Sequence, residues 1–272
     1  MKRVLTALIG FPFVILVFAL GNRYIIDFLI AIIALISIHE YMNCVKNKEI
    51  HPVSWISYLC AASICMLHAV NVEYLTYVLL YGIPFLVFIL FLHPILSNLK
   101  ITFEDIAYTL FGILYIVGFI VFIPLIYGSN HEISGKVLIW LVIFAAWGTD
   151  TCAYFIGMRF GKHRYSKVSP KKSVEGCLGG LVGSVLVCVI YSFLINTFMG
   201  INIPLITVTW VCAILSIVGQ FGDFAASVIK RYFEIKDYSN IFPGHGGMID
   251  RIDSVIFIAP FAYFLFSMFL GG

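Results

Sequence analysis

The chain has 272 residues, of which 61% are hydrophobic and 11% charged, against about 25% charged in an ordinary soluble domain. With 17 Lys+Arg, 14 Asp+Glu and a net charge of +3, and a mean hydropathy of +1.02, a soluble lobe of domain size is excluded, and disorder and nucleic-acid binding with it. The expected class is an all-α integral membrane protein, and the seven Cys, which form no C-x-x-C and lie mostly in apolar runs, read as small buried hydrophobes rather than a disulfide framework or zinc site.

A helix needs roughly 20 apolar residues to cross about 30 Å of hydrocarbon. Dividing the chain at charges, Pro, Gly and Asn predicts nine transmembrane helices, at 4–20, 24–42, 54–70, 74–93, 105–127, 137–157, 174–197, 203–228 and 252–270. No period suggests an internal repeat. The first run follows Lys2 and Arg3 but has no small-x-small cleavage site before Asn22, so it is read as a span and not as a secretory signal. With the N-terminus cytoplasmic, fifteen of the 17 Lys and Arg fall on cytoplasmic ends, and only Arg23 and Lys136 fall outside. That imbalance satisfies the positive-inside rule and places the C-terminus, Gly272, on the outer side.

Carboxylates within membrane helices cost about 2.5–3.5 kcal/mol each on insertion scales, so each needs a reason. Asp27 stands four residues from Arg23, and Glu40 stands beside His39; both read as local ion pairs or interfacial groups. Asp223 sits near the cytoplasmic end of a long apolar run, with Ser227 and Lys230 on the same helical face. After a short polar excursion comes Pro243-Gly244-His245-Gly246-Gly247, and then a helix opening with Asp250 and Asp253 at i, i+3. Three carboxylates expected at one depth would repel unless a cation joined them, and an all-oxygen donor set favours Mg²⁺ over Ca²⁺ or Zn²⁺. The glycines could present backbone N–H groups to a phosphate before a helix N-terminus, or simply form a tight turn. Lys230, Arg231, Lys236 and Arg251 surround them with positive charge. For His245 a phosphate-binding role is preferred to that of a general base, because a phosphate nucleophile is already ionised.

A second cluster runs from Trp147 through Asp150, Tyr154 and Gly157, which share a helical stripe, to a basic loop containing Ser169-Pro170-Lys171-Lys172-Ser173 and then Glu175 and Gly176. Gly176, Gly179, Gly180 and Gly183 permit close helix contact. The basic loop suits lipid headgroups or nucleotide phosphates, and equally suits a pure topology anchor.

From Ser227 to Asp253 the chain resembles the phosphatidate cytidylyltransferases. Ser-x-Ile-Lys-Arg is followed after four residues by Lys-Asp, then by Ser239 and Phe-Pro-Gly-His-Gly-Gly-Met-x-Asp-Arg-Ile-Asp. Asp-Thr-x-Ala-Tyr-x-x-Gly and Ser-Pro-Lys-Lys-Ser-x-Glu-Gly, between Asp150 and Gly176, also resemble the family, whereas 1–140 match only as apolar spans. The resemblance implies transfer of the cytidylyl group of CTP to phosphatidate, giving CDP-diacylglycerol and pyrophosphate in phospholipid biosynthesis at the cytoplasmic (inner) membrane. It implies Mg²⁺ on Asp223, Asp250 and Asp253, K⁺ as a candidate second ion, and a homodimer as a candidate assembly. Asp223, Lys230, Arg231, His245 and Arg251 are the expected catalytic residues. Ser227, Lys236, Gly244, Gly246, Gly247, Asp150, Tyr154, Lys171, Lys172 and Glu175 are the expected substrate contacts. Residues 1–140 are then N-terminal membrane helices and 141–272 the catalytic region. The rival readings are a CTP-dependent lipid kinase of the polyprenol type, which attacks the γ-phosphorus, and a transporter, which should show an internal repeat and broken helices.

Overall fold

Helix boundaries fall where the sequence supplies caps. In a computed structural model, α1 (Arg23–Lys46) begins at Asn22, whose side chain accepts from Ile25 N at 2.9 Å. There follow α2 (Ser54–Ser63), prolonged by a 3₁₀ turn over Ile64–Ala69, and α3 (Val72–Leu96). A capping box of Thr102 and Asp105 opens α4 (Phe103–Gly128), which contains a π-helical turn at Ile113–Val117. Next come α5 (Gly135–Phe160), α6 (Val174–Met199), α7 (Leu205–Tyr232) and α8 (Ile249–Phe269). Ser173 caps α6 by accepting from Gly176 N, and Gly200, at φ 68°, ends it in the left-handed conformation. The structure describes residues 12, 14–69, 72–129, 133–164, 169, 172–242, 244 and 246–270, with side chains left aside at 72–79. No β-strand forms among them, only isolated bridges.

All eight runs predicted after residue 22 are helices, within a few residues of the expected bounds. The run predicted at 4–20 lies mostly outside the described residues, of which 14–20 are helical. Among the described residues, six helices are long and apolar enough to cross a membrane, namely α1, α4, α5, α6, α7 and α8. The apolar stretch Ser54–Ala69 is shorter than the roughly 20 residues a perpendicular crossing requires, whereas α3 has 25 residues, of which the described part Leu80–Leu96 is apolar. The protein is therefore a multi-pass membrane protein with at least six helices of spanning length.

The helices form two units. The first comprises Met1–Pro124 and Phe233–Asp250, and the second Leu125–Tyr232 and Arg251–Gly272. In the first, α1 packs on α2, the 3₁₀ turn and the front of α4. Tyr41, Ile38 and Met42 are fully buried there. Asp105 accepts from His51 N at 2.6 Å and Thr109 Oγ1 from Val53 N at 2.8 Å, so the chain before α2 is hydrogen-bonded to α4. In the second, α5 lies along α6, and both contact α7. A Cβ at Gly180 would meet Thr149 O at 2.8 Å and one at Gly176 would meet Ala153 O at 2.9 Å, so only glycine permits this approach.

Candidate active site

Close helix contacts bring polar side chains together in the second unit. The Gly176 and Gly180 contacts draw the start of α6 onto the middle of α5, which carries Asp150. Thr149 Oγ1 and Ser216 Oγ share a hydrogen bond of 2.7 Å, and Gln220 Nε2 donates to Cys177 O at 3.1 Å, so α7 is fastened to both α5 and α6. On α7, Gly222 faces α8: a Cβ there would stand 2.6 Å from Asp253 O. The residue after Gly222 is Asp223, and its carboxyl lies close to that of Asp253.

The resulting group is charged on both sides. Lys172 Nζ, just before α6, donates to Asp223 Oδ2 and lies 4.6 Å from the centre of the Phe224 ring. Asp150 lies in the field of Asp223, Lys172 and Arg251, and accepts from Ser254 Oγ at 3.4 Å. Asp253 lies in the field of Asp150 and Lys230. Carboxylates this close repel unless a proton or a cation intervenes. Asp150 keeps open surface, and Asp223 and Asp253 are partly buried, so the group is accessible to a polar ligand. Sequence reasoning missed Ser254, although a hydroxyl directly after Asp253 at a helix start was there to be read.

The glycine-rich stretch lies in the first unit, where its backbone turns sharply. Gly244 and Gly246 have φ of 80° and 85°, and Phe242 N donates to Gly246 O at 3.0 Å. Asp250 Oδ2 accepts from Tyr238 N at 2.9 Å and Gly247 N at 3.0 Å. Glu40, 1% exposed, accepts from Ser239 Oγ at 2.5 Å and Met248 N at 2.7 Å through Oε1, and from Ile249 N at 2.9 Å through Oε2. The N–H of Gly247, which the sequence offers to a phosphate, is thus committed to Asp250. The first N–H groups of α8 point at Glu40, because a helix N-terminus attracts an anion and the protein supplies one of its own.

This overturns the reading of Glu40 as a local or interfacial group beside His39. His39 instead pairs Nδ1 with Tyr58 OH at 2.8 Å and Nε2 with Asn43 at 2.9 Å. Asp27 is more than an interfacial group: it is wholly buried and accepts from His68 N at 3.1 Å, with His68 Nδ1 2.7 Å from Oδ1, a partner 41 residues away.

The remaining predicted residues divide by position. Glu175 accepts from Lys162 N and His163 N and pairs with His163 Nδ1 at 2.6 Å, closing the chain between α5 and α6. Tyr154 is exposed, edge-on to Phe155 at 5.6 Å. Arg231, Lys236 and Arg251 are exposed, whereas Ser227 and Lys230 are partly buried. His245 and Lys171 lie outside the described residues. Among the described residues no group of three or more His, Cys, Asp or Glu side chains stands in metal-holding geometry. The chemistry of the donors still suits a hard cation, since Asp223 and Asp253 meet as oxygen donors.

Comparison with known proteins gives the arrangement its relatives. A model of the cytidylyltransferase family matches residues 1–269. The chain is 34% identical over 260 residues to a phosphatidate cytidylyltransferase of Staphylococcus haemolyticus, covering 95% of each chain. It is 33% identical over 260 residues to one of Staphylococcus aureus, again covering 95% of each. A Bacillus subtilis phosphatidate cytidylyltransferase is 35% identical over 187 residues, or 68% of this chain and 67% of its own. With the match running through every helix described above, this chain belongs to the cytidylyltransferase family.

Proposed function

We propose that this protein is a phosphatidate cytidylyltransferase of the cytoplasmic membrane, converting CTP and phosphatidate to CDP-diacylglycerol and pyrophosphate. The observation that carries the reading is identity of 33–34% to proteins of that name over 95% of both chains. A phosphate oxygen of phosphatidate attacks the α-phosphorus of CTP, the bond from that phosphorus to the β-phosphate bridge oxygen breaks, and pyrophosphate leaves with the electron pair. The nucleophile is ionised at neutral pH, so positioning and charge neutralisation are what the protein must supply.

Asp223, Asp250 and Asp253 would hold Mg²⁺, with K⁺ as a second ion, and the metal would neutralise triphosphate oxygens. Lys172, Lys230, Arg231 and Arg251 stabilise the departing pyrophosphate, with His245, Gly244 and Gly246 on phosphate oxygens. Asp150 and Ser254 hold their places beside Asp223 through hydrogen bonds and helix contacts. The proposed topology is nine spans with the N-terminus inside, which puts the basic loops on the side where CTP is found.

The test is direct. Purified protein given CTP, Mg²⁺ and phosphatidate should yield a lipid that co-migrates with CDP-diacylglycerol, with one pyrophosphate released per lipid. Failure to form that lipid, with phosphatidate unchanged, refutes the proposal.

A further inference from the structure

We propose that Glu40 is a positioning residue: an internal anion that holds Ser239, Met248 and Ile249, and with them the opening of α8, in working register. The proposal rests on the cytidylyltransferase reading above. Glu40 is remote in sequence from everything it binds, since its partners Ser239, Met248 and Ile249 lie 199, 208 and 209 residues on. It is buried to 1% exposure and uses both oxygens. A carboxylate is acceptor-only, and here one O–H and two N–H groups converge on it, so donors and acceptor match.

The packing is equally specific. A Cβ on Gly247 would stand 2.6 Å from Glu40 Oε1 and Oε2, so glycine at 247 lets the backbone close over the carboxylate. Asp250, a proposed Mg²⁺ ligand, binds Gly247 N and Tyr238 N within the same stretch. The loop is thereby held by two carboxylates, Glu40 from α1 and Asp250 from α8. Displacing the loop would move Asp250 and the start of α8 with it. Burial of a carboxylate inside an apolar protein is costly, and three charge-assisted hydrogen bonds offset that cost only while the loop stays in this conformation.

The experiment uses the full-length protein in phosphatidate-containing micelles, comparing Glu40→Gln, Glu40→Asp and Ser239→Ala. Gln keeps the shape but sets an NH₂ against an N–H donor. Glu40→Gln should lower kcat/KM for CTP by roughly tenfold to a hundredfold, as expected for a small misplacement of reacting groups. Amide hydrogen exchange at Met248 and Ile249 should rise with exchange in α5, α6 and α7 unchanged. Glu40→Asp, which keeps two acceptor oxygens, should recover part of the activity. Ser239→Ala should add little to Glu40→Gln, because both act through one contact. Unchanged exchange at 248–249 overturns the proposal, whether or not activity falls. Exchange raised evenly over every helix also overturns it, since Glu40 would then be a general support of the fold. If the unaltered protein makes no CDP-diacylglycerol, the cytidylyltransferase reading fails, while the exchange measurement still decides whether Glu40 holds the loop.

Discussion

Asp223 and Asp253 meet where the backbone of α7 at Gly222 approaches the Asp253 carbonyl of α8. Replacing either by Asn keeps size and removes charge, so Asp223→Asn and Asp253→Asn should each lower kcat by about 10²-fold or more while the protein still inserts and folds. Near-normal turnover in both, measured with CTP and phosphatidate, would remove them from the chemistry. Asp27 should behave in the opposite way. Its burial and its two bonds from His68 make Asp27→Ala a loss of stability of about 1–3 kcal/mol, read by denaturation in detergent, with kcat unchanged in the folded fraction. Asp223 and Asp253 were legible in the sequence because a carboxylate in a span demands an explanation. Glu40 and Asp27 were not, because their partners are 199 or more and 41 residues away, and nothing local signals such a contact. Lys172 was read as an expected substrate contact in the basic loop, but its pairing with Asp223, 51 residues on, was not legible.

Along the helices, length and hydropathy located all eight elements after residue 22, since an apolar run bounded by charge or glycine leaves the backbone few alternatives to a helix in lipid. Hydropathy could not tell spans from the shorter α2, because a 3₁₀ turn over Ile64–Ala69 is as apolar as a helix. The glycines of α6 were read as close-contact residues, and the approach of Gly180 to Thr149 O bears this out. A larger side chain there must push α6 off α5 and disturb Lys172 at its entrance. Gly180→Val should therefore cost about 1–3 kcal/mol of stability and reduce activity together. Gly200→Ala, with no atoms within 4 Å of the added methyl, should cost only the strain of its left-handed φ of 68°, about 1 kcal/mol, and leave activity intact. Equal effects of the two in thermal unfolding and turnover would contradict the close-packing account.

At the scale of the whole molecule, at least six helices of spanning length make this a multi-pass membrane protein, and the proposed nine-span topology would gather its Lys and Arg on one side. A cysteine placed by Lys162→Cys, in protein lacking its native cysteines, should react with an impermeant maleimide only after the membrane is opened. One placed by Lys136→Cys should react from outside. Labelling of the first from outside would invert the topology and remove the basic loop from its source of CTP. The central claim is cytidylyl transfer, and the position of label in the product tests it most directly. Given CTP labelled at the α-phosphate, the protein should place the label in lipid, and given CTP labelled at the γ-phosphate it should release the label as pyrophosphate. Label from the γ-phosphate appearing in lipid, with CDP released, would make the protein a CTP-dependent lipid kinase and contradict the account.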